Sequence, residues 1–283
     1  MISHACPLEA ISGPHHPEHT HMGTTVCRSH IALALAMDAW EPISGVIVMD
    51  KPERASSAGM CRLVKGRMRA AGAPKSVKVG HGGTLDPLAT GLVVILVGKA
   101  TKRSDEVMAG EKEYLVGVDL SAFTASDDRE TERAEVAVET PPTIERIREA
   151  SAGFVGAIEQ VPPAHSAIWV DGRRSYKLVR AGEAVELAAR RVEVHEIRVL
   201  AYDWPIVTLA VRCGKGVYIR SLARDLGVVL GTGGTLAWLR RTRIGRWSIR
   251  DAVTPDRVPD PLGASGFGAI AAEGGPDSAI TRG

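Results

Sequence analysis

The stretch Gly80-His81-Gly82-Gly83-Thr84-Leu85-Asp86-Pro87-Leu88-Ala89-Thr90-Gly91 sets one acid and one imidazole in a loop made otherwise of small and stiff residues. Glycines at 80, 82, 83 and 91 permit backbone shapes and close approaches that side chains block, and Pro87 stiffens the turn directly after the acid. A polar loop this rigid is costly to order unless something binds to it. Read alone, Asp86 is equally a turn or cap residue and a carboxylate held out for covalent chemistry. An aspartate, with a reference pKa near ~3.9, is ionised at neutral pH and needs neither a metal nor an adjacent base to become a nucleophile. A phosphate loop is excluded, because six residues rather than four separate Gly91 from Gly98-Lys99 and Ala100 stands where Ser or Thr is required. A G-x-G-x-x-G fingerprint is missing too.

Several periodic segments must position this loop. The apolar run from Ile43 to Met49 predicts a buried strand, ended by Asp50-Lys51-Pro52. Ser56 or Ser57 can cap the helix that follows, in which Met60, Leu63, Val64 and Met68 recur at helical spacing. Its other face carries Arg62, Lys65, Arg67 and Arg69, either as a solvated face or as an RNA-facing one that Lys75 and Lys78 extend. Leu92 to Val97 is a second buried strand, and Tyr114, Val116, Val118 and Leu120 alternate along a third, which puts Tyr114 on a core-facing side. After a polar stretch from Ala125 to Glu135, Thr143 opens a helix with Ile144 and Ile147 inward. Ala167 to Val170 with Asp171-Gly172 reads as a strand and tight turn. Extended runs at Val192 to Leu200 and Pro205 to Cys213 precede a helix bearing Leu222, Ala223 and Leu226. Paired strands with intervening helices predict an α+β fold with a central mixed, largely antiparallel sheet rather than a βαβ repeat.

With 283 residues and 45% hydrophobic composition the chain can bury a substantial core. Its net charge of +2 is too mild to identify a nucleic-acid partner, so local clustering must carry that case. Cys6, Cys27, Cys61 and Cys213 lie far apart, as expected of reduced thiols in a cytoplasmic protein. No apolar run approaches the ~18 residues of a spanning helix, and the residues up to Trp40 do not resemble a signal peptide. Residues 1–40 read as a disordered extension in which six of the nine histidines cluster without a scaffold for metal, and Met22 and Met37 are alternative translation starts. The expected folded domain is residues 41–254. Residues 255–283, rich in Gly and Pro with isolated apolar residues, read as a disordered tail too short for an appended globular domain.

The loop sequence GHGGTLDPLATG resembles the catalytic signature of TruB-type tRNA pseudouridine synthases, in which the acid of the G-x-L-D-P-x-A-x-G stretch is the nucleophile. Further segments match in family order: GVIVMDKPERASS at 45–57, QVPPAHSAIWVDGRRSYKLVRAGE at 160–183, KGVYIRSLARDLG at 215–227 and WLRRTRIG at 238–245. The resemblance runs from Gly45 to Thr254. It implies the pseudouridine synthase fold, isomerisation of uridine-55 in the tRNA T loop, no cofactor or metal, and tRNA as partner of a monomeric enzyme with no obligate protein partner. The same chemistry on another RNA, or a tRNA-folding chaperone, are the alternatives.

The resemblance also implies roles. Asp86 attacks C1′ or C6 of a flipped uridine. Arg220 supplies the counter-charge that a carboxylate in a closed pocket needs, and Tyr114 lies against the uracil, where its ring stacks and its hydroxyl can serve proton transfer. His81 fills the space the base vacates. Tyr218 and Leu239 either line the pocket or simply pack. Lys51 is matched to the RNA-binding side, as are Arg173 and Arg174, which with Lys177 and Arg180 a helix would align in an insertion that folds over the T arm. Arg190, Arg191, Arg240, Arg241, Arg243 and Arg246 are candidate phosphate contacts. Two departures stand out: Gly82 replaces a common Thr, which should loosen the backbone beside His81, and Phe123-Thr124-Ala125-Ser126-Asp127-Asp128 only partly follows an acidic family stretch and receives no role.

Overall fold

The computed structural model describes residues 40–273 apart from 167 and 171. The expected N-terminal extension, with its histidine cluster, Cys6 and Cys27, lies outside the described residues up to position 39. In chain order the elements are β1 (Gly45–Lys51), α1 (Ser57–Ala70), β2 (Val79–His81), β3 (Thr90–Val97), α2 (Ser104–Ala109), β4 (Lys112–Asp119), β5 (Ala122–Thr124), β6 (Arg133–Glu135) and α3 (Ile144–Ala152). They continue as β7 (Gly156–Gln160), β8 (Trp169–Val170), β9 (Arg173–Arg174), α4 (Ser175–Arg180), β10 (Arg190–Asp203), β11 (Ile206–Cys213), α5 (Ile219–Leu230), β12 (Thr235–Ile244), β13 (Trp247–Ser248) and α6 (Ala264–Glu273).

One nine-stranded sheet runs β1-β3-β12-β4-β11-β10-β7, with β2 on β3 and β13 on β12. Every pairing is antiparallel except β3 with β12, so the mixed, largely antiparallel sheet of an α+β fold is what the chain forms. β1 and β3 read as unbroken apolar runs because both their faces are covered. Ile47, Met49, Val93 and Ile95 join the main core, whereas Val46, Val48, Leu92 and Val94 pack a smaller cluster with Val107 and Trp247. In β4 the alternation seen in the sequence sends Tyr114, Val116 and Val118 into the main core. Ser56 caps α1 by accepting from the Gly59 amide at 2.9 Å, which frees Ser57 for the loop that carries Asp86.

The chain does not become disordered at 254. Val258, Leu262, Phe267 and Ile270 are all buried, and the Phe267 ring lies so close over Gly45 that a Cβ there would come within 2.9 Å of it. Arg67, expected on a solvated or RNA-facing surface, instead donates to the carbonyls of Pro255 and Val258 and pairs with Asp260, while its own carbonyl accepts from the Leu262 amide at 3.0 Å. These apolar residues look isolated because they complete a core built by distant strands and have no partner within their own segment. Arg67→Ala is expected to lower Tm by about 3–6 °C, from the loss of ~1–2 kcal/mol of charge-assisted hydrogen bonds. Limited proteolysis should then cut first within residues 255–273, as mass spectrometry of the fragments would reveal.

The insertion after β7 is also built differently from expectation. Arg173 and Arg174 belong to β9, paired with β8, and α4 begins only at Ser175, so no single helix aligns them with Lys177 and Arg180. The strand and tight turn expected just before them do form, as β8 and Gly172 at φ 77°.

Candidate active site

β2 and β3 are antiparallel neighbours, and the loop between them carries Asp86. The loop is held from three sides. Ser57 grips Leu85 twice, accepting from its amide at 2.9 Å and donating to its carbonyl at 3.1 Å. Arg241 donates from Nε to Leu92 O at 2.8 Å and from its two Nη atoms to Thr84 O and Gly83 O at 3.1 Å each. Lys51, wholly buried, donates through Nζ to the carbonyls of Pro52, Ala55, Pro87 and Ala89. The sheet register explains Arg241's reach: Gly91, Arg241 and Tyr114 form one row across β3, β12 and β4. Gly91 has φ 104°, and a Cβ there would lie 2.2 Å from the Arg241 carbonyl, so only glycine allows the row to close.

Two expectations are thereby corrected. Lys51 has no exposed surface to offer RNA, and Arg241, at 2% exposure, is no phosphate contact. Both are internal donors to a loop whose carbonyls have no regular secondary structure to satisfy them. Burial pulls the Lys51 ammonium down to about 8, against the opposing pull of Asp86. Lys51→Met is expected to lower Tm by at least about 5 °C, since each buried carbonyl left unpaired costs ~1–3 kcal/mol. It should also reduce kcat about tenfold or more although Lys51 sits behind the loop, and stopped-flow turnover beside a thermal melt would check both.

Asp86 Oδ2 lies 3.0 Å from Arg220 Nε, and Asp128 Oδ2 lies 3.8 Å from the same nitrogen. Arg220 comes from the first turn of α5 and is only 5% exposed on its side chain. Its Nη1 donates to Ser126 O and its Nη2 to His165 O, each at 3.0 Å, so the guanidinium ties the Asp86 loop to the 124–128 segment and to the root of the insertion. Asp86, Asp128, Arg220, Leu88, Trp238 and Leu239 are among the residues lining one cleft. Burial pushes the Asp86 carboxyl up from the usual aspartate value; Arg220 opposes that and Asp128 adds to it. Since 39% of the Asp86 side chain still opens on the cleft, water screens much of this in the free protein. Full desolvation requires a ligand over the carboxylate.

The other expected site residues separate into groups. Tyr114 is 9% exposed and its hydroxyl is pushed up to about 12 by burial, with Arg241 pulling the other way and the charge of Asp86 near enough to contribute. Leu239, opposite Val116 in the register, lines the cleft. His81 ends β2 with its Nδ1 buried and without a hydrogen-bond partner, and burial and Arg241 both lower its pKa. The space beside it is not loosened by Gly82, because Val107 fills it: a Cβ on Gly82 would come within 2.3 Å of that side chain. Tyr218 stands at the N-cap of α5, its backbone held both ways by the Gln160 amide at 2.8 and 3.1 Å and its ring under Arg190. It is not among the residues lining the cleft. Arg173 pairs with Glu183 and Arg174 stacks on Trp169, both on the insertion, and neither is among the residues lining the cleft. Among the phosphate candidates, Arg240 is paired with Asp50 and Arg243 with Glu111 and Glu113.

Asp128 and Ser57 are the site residues that the sequence did not single out. The signal for Asp128 was its place in an acidic stretch, obscured because the residue before it, Asp127, is also an aspartate. The two are sorted by backbone: Asp127 adopts φ 59° and turns to Arg224 at 2.9 Å, leaving Asp128 to Arg220. Among the described residues no group of His, Cys, Asp and Glu could hold a metal, and no helix is long and apolar enough to cross a membrane.

Known proteins resemble this chain over most of its described residues. Residues 69–219 match the model of the TruB family pseudouridylate synthase N-terminal domain, and residues 220–263 that of the tRNA pseudouridylate synthase B C-terminal domain. The chain is 44% identical over 188 residues to a tRNA pseudouridine synthase B of Parabacteroides distasonis, covering 66% of this chain and 80% of the relative. It is 42% identical over 217 residues to that of Phocaeicola vulgatus, covering 77% and 92%. Among solved structures, a chain of a Cbf5-Nop10-Gar1 complex superposes with a TM-score of 0.58 at 27% identity, over 76% of this chain and 53% of that one. This chain thus spans about half of that solved chain, which was determined in complex with other proteins. With the family models covering α5 and β12 as well as the Asp86 loop, the chain belongs to the TruB family of pseudouridylate synthases.

Proposed function

We propose that the protein is a tRNA pseudouridine synthase that isomerises uridine-55 of the T loop, with Asp86 as the nucleophile. The observation that carries the reading is the Asp86–Arg220 pair at 3.0 Å in a cleft walled by Leu239, with Tyr114 in the same sheet row as the arginine that holds the Asp86 loop. The isomerisation breaks the C1′–N1 bond, forms C1′–C5, places a proton on N1 and releases the one from C5. It therefore needs no oxidant, reductant or group donor, and we assign it no cofactor. A stacked base cannot present C1′ or C6 to a carboxylate at the bottom of a cleft, so the uridine must be flipped out.

Arg220 keeps Asp86 ionised as the base displaces water. Tyr114 offers a ring face to the uracil and a hydroxyl that burial keeps protonated at neutral pH, suited to handing on a proton rather than to acting as a base. His81, on the strand leading into the loop, stacks into the vacated space. The enzyme acts in the cytoplasm as a monomer, which sedimentation with and without tRNA would check. The decisive experiment uses a T-arm RNA carrying tritium at uracil C5: label is released to water in step with pseudouridine formation. A folded enzyme that releases none from a folded T arm rejects the proposal, and release from another uridine relocates the target.

A further inference from the structure

Among the described residues Trp169 is the most exposed aromatic, at 60%, and it stands on the β8–β9 hairpin of the insertion. Arg174 lies over one face of its indole, 4.3 Å from the ring centroid, which orients the ring while the rest of it meets solvent. Beside it opens a groove of ≈ 360 Å³ bordered by Pro162, Ile168, Leu187, Glu186 and Arg190. That volume falls in the range of small-ligand clefts, ~300–1,000 Å³. The groove is linked to the catalytic cleft by short steps. Arg190 caps the Tyr218 ring at 5.5 Å and pairs across the sheet with Gln160, which holds the Tyr218 backbone at the head of α5, two residues before Arg220. The root of the insertion is itself tied to Arg220 through His165 O.

We propose that Trp169 is the platform of a second nucleotide subsite, on which one base of the RNA other than the target uridine stacks. This rests on the reading of the protein as an RNA-modifying enzyme. The composition of the groove selects the ligand class. An exposed flat aromatic face bordered by Pro162, Ile168 and Leu187 suits a base rather than a phosphate, and Arg174 behind the ring together with Arg190 at the rim offsets the polyanion that the base belongs to. Glu186 would repel a phosphate but accepts hydrogen bonds from the amino or imino groups of cytosine, adenine or guanine, so the stacked base is one that presents such donors.

The test is a cycle between Trp169→Ala and a T-arm RNA scanned with abasic sites, with affinity read by fluorescence anisotropy on labelled RNA. Trp169→Ala is expected to weaken binding and raise KM about 5- to 100-fold, the usual span for removing one stacking platform, with kcat within about twofold. Trp169→Phe should recover most of the affinity. The salt dependence of binding should keep its slope, whereas loss of a phosphate-contacting arginine would lower it by about one. One abasic position should weaken the wild type by the same factor and leave Trp169→Ala indifferent. If every abasic RNA penalises both proteins alike, or if Trp169→Ala changes sedimentation but not RNA affinity, the subsite is rejected. A wild-type enzyme that modifies the T arm and yet fails this cycle overturns the subsite alone, while absence of tritium release overturns the underlying function.

Discussion

Asp86→Asn is expected to reduce pseudouridine formation by about 10,000-fold or more, as removal of a covalent nucleophile does elsewhere, while T-arm RNA binding changes by less than about threefold. Tritium release from C5-labelled RNA measures the first and anisotropy the second. Asn keeps the volume and one oxygen toward Arg220 Nε, and Asp128 remains beside the guanidinium, so the pocket persists. The sign of the stability effect follows from the raised carboxyl pKa. A group that binds its proton more tightly folded than unfolded lowers stability as pH rises from the ordinary aspartate value of ~3.9 through the raised one. The variant loses that opposition, so its melting temperature at neutral pH should not fall by more than about 3 °C. For the wild type, catalysis needs the ionised form, and the acid limb of kcat/KM should lie above the usual carboxylate range. The limb of kcat should lie higher still, because bound RNA removes the water that reaches Asp86 through the cleft. An acid limb below the free-aspartate value would mean that Arg220 outweighs burial.

The second large effect concerns Arg220, whose removal strands several groups at once. Arg220→Met leaves Asp86 and Asp128 without their cation and Ser126 O and His165 O without a donor. Breaking a buried pair by deleting one partner costs ~3–5 kcal/mol, and the opening of Asp86 to the cleft places this site at the lower end, about 3 kcal/mol. A fall in Tm of about 6–12 °C follows. Activity should drop at least about 1,000-fold at pH 7, because without Arg220 burial and Asp128 both favour the protonated Asp86, and should partly return as pH rises and the carboxylate ionises. That recovery separates loss of counter-charge from general disruption. Arg220→Lys keeps the charge but loses the fork that reaches Asp86, Ser126 and His165 together, so it should retain the normal acid limb while losing much of kcat. A lysine variant whose acid limb moved as far as that of the methionine variant would contradict the role given to the charge.

Together these expectations separate two uses of arginine in one site. Arg220 faces the cleft and sets the ionisation of the proposed nucleophile, whereas Arg241 faces inward and fixes the backbone that carries it. Both come from motifs that read alike, as basic residues among many. Nothing in residue type or local spacing tells a structural guanidinium from a phosphate contact, because the difference lies in which carbonyls a distant loop leaves unpaired. The same holds for Lys51, whose acceptors Pro87 and Ala89 lie on the far side of α1 in the chain.

The loop around Asp86, the apolar runs of β1 and β3 and the alternation of β4 were legible because their information is local: glycine spacing, hydrophobic period and a motif of ordered residues. The sequence by itself thus determined the α+β class, the acid that stands at the centre of the site and the family to which its motifs point. Tertiary structure alone decided that Asp128 joins Asp86 at Arg220, that Lys51 and Arg241 serve the loop from inside, and that residues 255–273 are part of the fold. In each case the cause is a contact between segments far apart in the chain. Asp86 was visible as a carboxylate, but its charge state, the property on which its proposed chemistry depends, is set by burial, by Arg220 brought from the head of another helix and by Asp128.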